Sequence, residues 1–68
     1  MLVPKEKEIK KRRLQMNLSQ RQLSIKCGLP DNASCRIEMG AFGSIYPIRA
    51  KAIAAVLQCK LSDVFDEE

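Results

Sequence analysis

The sequence has no histidine, and its three cysteines, Cys27, Cys35 and Cys59, are odd in number and irregularly spaced. A structural zinc site takes about four ligands, usually in close pairs, so no metal is expected. A disulfide framework normally shows an even count in a secreted chain, and the ordinary role of a lone thiol is small apolar filler. No signal peptide is visible, because Met1-Leu2-Val3-Pro4 runs straight into charge. No apolar run approaches the ~20 residues of a membrane span. The expectation is a cytoplasmic protein with reduced thiols and no membrane partner. Also missing are a phosphate-binding glycine loop and a base beside Cys35. Sixty-eight residues read as one domain, 1–68, with no volume for a deep cleft. No enzyme, cofactor or small-molecule substrate is therefore expected.

What is present is positive charge, unevenly placed. The net charge is +4. Residues 1–26 carry eight cations against two anions, a net +6, whereas residues 27–68 carry four against six, a net −2. Such asymmetry suits a polyanion partner for the basic end, but a solvated helix face explains it equally well.

Strand signals are weak: the β-formers of Ile45-Tyr46-Pro47-Ile48 are interrupted by Pro47. Helix punctuation is better. Pro4 suits the first turn of a helix running to about Met16, with Ile9, Arg13 and Met16 on one side. Arg13 on that apolar side asks for a buried partner. Ser19 and Gln22 form a capping box for a second helix, Gln20 to Cys27, which Gly28 stops. Pro30 and Asp31 open a third helix that reaches about Met39 before Gly40. The connection Gly28-Leu29-Pro30 has the length of the turn in a helix-turn-helix. Pro47 begins a fourth helix, with Ile53 and Leu57 four apart. Leu61, Val64 and Phe65 form a last short helix or turn, and Asp66-Glu67-Glu68 is expected to fray.

The ordered set Leu18-Ser19-Gln20, Leu23, Gly28-Leu29-Pro30, Arg36-Ile37-Glu38 and Gly40 resembles the helix-turn-helix of the lambda repressor and Cro family, the XRE-type regulators. Ile53-Ala54, Leu57 and Leu61-Ser62-Asp63-Val64-Phe65 look like that family's closing helices, so the likeness runs from about Ile9 to Phe65. It implies an all-α domain of five short helices with the helix-turn-helix at about 19–39, the third helix lying in the major groove. It also implies a core of Leu23, Cys27, Leu29, Ile37, Ile53 and Leu57, and a buried pair between Arg13 and Glu38. Gln20 matches a position that touches phosphate and braces the third helix. Five features depart from the pattern. Ser34 stands at a usually apolar position, Arg12 where relatives carry a hydrophobe, and Cys35 at a slot often filled by serine. Gln58 replaces a frequent glycine, and the loop before Pro47 is longer than in the phage repressors.

On a wheel of about 100° per residue, Ala33, Ser34 and Ile37 turn inward, while Asn32, Cys35, Arg36 and Met39 turn outward. Asparagine pairs bidentately with adenine and arginine with guanine, which makes Asn32 and Arg36 candidate base readers. Arg36 can equally grip a phosphate. Asp31 either accepts from a cytosine amine or caps the helix, and capping is favoured because a carboxylate near phosphates is repelled. Cys35 either touches a thymine methyl or is a plain surface thiol. Gln20, Arg21, Ser44, Tyr46 and Arg49 are candidate phosphate contacts, the last three around the start of the fourth helix. Lys10, Lys11 and Arg12 either reach phosphate or solvate the first helix, and Phe42 is expected to pack its loop. The reading that follows is a sequence-specific regulator of double-stranded DNA. It would be a repressor in kind, binding a partly palindromic operator as a homodimer through Leu61 to Phe65. The competing reading is a protein-binding adapter, antitoxin- or antirepressor-like, using Phe65 and the acidic tail.

Overall fold

A computed structural model describes residues 1–67. In chain order the elements are β1 (Leu2–Pro4), α1 (Glu6–Gln15), α2 (Gln20–Lys26), α3 (Ala33–Glu38), α4 (Pro47–Val56), α5 (Leu61–Val64) and β2 (Phe65–Glu67). The five expected helices are present, and a small sheet joins them.

Local chemistry accounts for the helix limits. Glu6 and Glu8 lie in the first turn of α1 and Arg12 and Arg13 in its last, the arrangement the helix dipole favours. At α2 the Ser19 hydroxyl accepts from the Gln22 amide at 3.0 Å, and the Gln22 side chain accepts from the Ser19 amide at 2.8 Å. Four helices end in one way. After α1, α2, α3 and α4 a residue turns left-handed: Asn17 (φ 58°), Gly28 (73°), Gly40 (78°) and Gln58 (57°). The next amide in each case reaches back five residues to a helix carbonyl, from Leu18 to Arg13, Leu29 to Ser24, Ala41 to Arg36 and Cys59 to Ala54. Pro47 occupies the first turn of α4, where its missing donor costs nothing.

Three expectations are corrected at the ends. Pro4 does not open a helix: it is buried in β1, and α1 starts at Glu6. Asp66 and Glu67 do not fray, because β1 and β2 pair antiparallel in the register Leu2↔Glu67, Val3↔Asp66, Pro4↔Phe65. Glu68, the rest of that tail, lies outside the described residues. Leu2 is also bridged on its other side to Ile45, with bonds of 2.9 and 2.7 Å. Burying Leu2 and Pro4 on one strand face while pairing the backbone supplies what a proline-led helix would forgo. The third correction is that α3 begins at Ala33 with Asn32 as its N-cap, so Pro30 and Asp31 belong to the turn.

Ile9, Leu23, Ile37, Ile53, Val64 and Phe65 form the centre of the core, each 4% exposed or less. Cys27 and Leu29, expected in the core, are half-buried against it. Val64 and Phe65 are buried, so in the Leu61 to Phe65 segment expected at a dimer contact only Leu61, Ser62 and Asp63 keep exposed surface, and of the adapter surface expected of Phe65 and the acidic tail only the tail does, at Asp66 and Glu67. No described helix is long and apolar enough to cross a membrane.

Candidate nucleic-acid interface

The orientation of α3 is set by a polar cluster between helices. Arg13 of α1 donates from Nε to Glu38 Oε2 at 2.7 Å and from Nη2 to Oε1 at 3.1 Å. Its remaining arm, Nη1, donates to the Leu18 carbonyl at 2.8 Å. The two side chains are 7% and 5% exposed, which is why the arginine sits on an apolar helix face. Glu38 also accepts from Gln20 at 3.2 Å and from Ser34 at 3.1 Å. Burial pushes the Glu38 carboxyl up, but the bonds from Arg13, then Gln20, outweigh it and hold the group below its ordinary value. Gln20 therefore braces α3 through Glu38. Ser34, a departure from the family pattern, is buried and hydrogen-bonded rather than misplaced.

Outward from this cluster, a groove of about 320 Å3 runs between α3 and the start of α4. Asn32, Arg36, Ser44, Tyr46 and Arg49 line it together, over an apolar floor that includes Leu29, Ala33 and Ile53. Two of its lining residues are arginines and none is acidic. Asn32 is exposed and makes no side-chain cap bond, so its amide is open to a partner. The Arg36 guanidinium lies 5.0 Å from the centre of the Phe42 ring, which holds the cation by its π face and leaves its edge donors accessible. Tyr46 and Arg49 are exposed, at 63% for Tyr46, and Ser44 is half-buried.

The other candidates lie outside the groove. Arg21 sits 3.7 Å from Asp31, an exposed pair at the mouth of the turn. Asp31 precedes the N-cap of α3 and does not cap the helix. Cys35 is half-buried. Arg12 is engaged by Glu8 at 3.0 Å and lies 4.0 Å from Asp63, so it ties α1 to α5 instead of standing free. Lys10 and Lys11 are exposed. Sequence reasoning missed Ser24, a buried serine of α2; the signal was there, in paired serines on the inward faces of α2 and α3. Among the described residues no group of side chains suited to a metal is found.

The fold has a solved counterpart. The chain is similar to SinR, described as the master regulator for biofilm formation, in its crystal structure in complex with DNA. The TM-score is 0.78 and the identity 21%, over 84% of this chain and 90% of that one. The chain shares that structure's fold, five short helices with a central helix-turn-helix. In that fold α2 and α3 are the paired helices, and α3 is the one whose outer face the groove exposes. No protein-family model and no curated protein matches the sequence.

Proposed function

We propose that the chain is a single DNA-binding domain, a sequence-specific transcription regulator of the repressor kind that lays α3 in the major groove. The observation that carries this reading is the shared groove. Asn32 and Arg36, with the hydrogen-bonding forks that suit adenine and guanine, stand beside Ser44, Tyr46 and Arg49 on one face free of acid. The fold likeness to SinR, solved with DNA, supports the same reading. Arg49 and the polar groups around the start of α4 take phosphate, which fixes register; Asn32 and Arg36 take base edges, which carries sequence. Arg21 and Gln20 flank the phosphate run at α2.

One such domain reads a half-site of a few base pairs, so a partly palindromic operator bound by two copies follows, with half-sites about 34 Å apart. The contact between copies then comes from surface other than Val64 and Phe65. The test is selection from a random duplex pool at near-physiological salt, since low salt lets net positive charge bind any sequence. Enrichment of a two-fold symmetric site supports the reading. Recovery of no sequence by the folded protein overturns it.

A further inference from the structure

We propose that Ser24 is a positioning residue that caps α3 from outside the helix and so sets the angle at which α3 is offered to DNA, an inference that rests on the DNA-reading proposal. The N-cap of α3, Asn32, makes no side-chain cap bond. The first-turn amides of a helix have no partner within it, and a buried one left bare is costly. At α3 the buried amide of Ser34 donates to Ser24 Oγ, on α2, at 2.8 Å. Ser24 is 1% exposed, and its hydroxyl donates to the Gln20 carbonyl at 2.9 Å. Its one proton is thus committed to α2 and its lone pair to α3.

The bonds then close into a ring. From Ser34 the hydroxyl donates to Glu38, Glu38 accepts from the Gln20 amide, and Gln20 returns through its carbonyl to Ser24. Every member belongs to α2 or α3, and Arg13 of α1 anchors the ring at Glu38. Apolar packing between two helices tolerates small rotations, because dispersion is non-directional. A ring of directed bonds does not, and in a buried setting each bond supports the next. Asn32 and Arg36 lie at the start and middle of the helix that the ring clamps. Bidentate base contacts need both donors and acceptors in plane, whereas a phosphate contact by a long cation does not. Loosening the clamp should therefore cost selectivity more than general DNA affinity.

The experiment compares the full chain with Ser24→Ala. Amide hydrogen exchange at Ser34, measured by NMR on the free protein, is expected to accelerate at least about tenfold. Affinity for the selected duplex is expected to fall about tenfold and affinity for a scrambled duplex less than about twofold, with an unchanged salt slope. Unaltered exchange at Ser34, or equal loss on both duplexes, overturns the proposal. Should the alanine variant not fold, Ser24→Cys keeps the volume with a poorer acceptor and is expected to lose part of the selectivity; selectivity equal to the parent overturns the proposal. The exchange measurement needs no DNA, so failure of the DNA reading and failure of the cap give different results.

Discussion

Arg13 and Glu38 meet as a forked pair buried between α1 and α3, twenty-five positions apart in sequence. Removing one partner strands the other charge where water cannot reach it, a loss of about 3–5 kcal/mol. A domain this small holds about 5 kcal/mol in total. Arg13→Met alone is therefore expected to leave the chain largely unfolded by circular dichroism at 25 °C. Arg13→Met with Glu38→Leu is expected to recover part of the loss in urea titrations.

The same carboxylate sets an acid limit. Glu38 binds its proton more weakly in the folded chain than in the unfolded one, where its value is near 4.5. Its contribution is fully present above that value and is lost as pH falls through the lowered folded value. The urea midpoint is expected to fall as pH drops from about 5 to 3. In Glu38→Gln the dependence is expected to be shallower, with lower stability at pH 7.

Gln58 holds a left-handed backbone at φ 57° where glycine has no Cβ to strain. Gln58→Gly is expected to stabilise by about 1 kcal/mol and to raise Tm by roughly 4–8 °C. Asn17→Gly is expected to gain less, since asparagine tolerates this conformation. Calorimetry on both variants checks the ranking.

Base reading and phosphate grip separate by salt. Asn32→Ala and Arg36→Ala are each expected to cost about 1–3 kcal/mol on the selected duplex and to relax one position of it. Arg49→Ala is expected to weaken all duplexes alike and to reduce the salt slope by about 1. Fluorescence anisotropy across a salt series reads both effects.

Burial pushes the Cys27 thiol up to about 11. At pH 8 only about one molecule in a thousand then carries the reactive thiolate. Labelling of Cys27 by an aromatic disulfide is expected to be far slower in the native chain than in urea, as peptide mass analysis can follow.

Much of this molecule was legible in the residues. Ser19 with Gln22 marked the start of α2, and Gly28 and Gly40 marked the ends of α2 and α3, because caps and left-handed turns are local chemistry. Arg13 on an apolar face demanded a partner. The β1–β2 pair was not legible, because three residues at each end carry no period and their pairing is decided by distant neighbours. For the same reason Phe65 read as surface although it is 2% exposed. The groove was half legible. Asn32 and Arg36 followed from a helix wheel, but their meeting with Tyr46 and Arg49 depends on the packing of α3 and α4. Ser34 looked like a polar intrusion and Ser24 went unremarked, and only their mutual bond gives them sense.

The pairing of Leu2 with Glu67 carries a consequence for synthesis. On a ribosome Glu67 emerges sixty-five residues after Leu2. The α2–α3 unit can assemble while the chain is still emerging, whereas Leu2 and Pro4 must wait, uncovered, for the partners that bury them. Completion of the domain is therefore a single late event that closes the longest loop in the chain. Until it occurs, the core of Ile9, Leu23, Ile37 and Ile53 lacks Val64 and Phe65, and the nascent chain is open to chaperones and proteases.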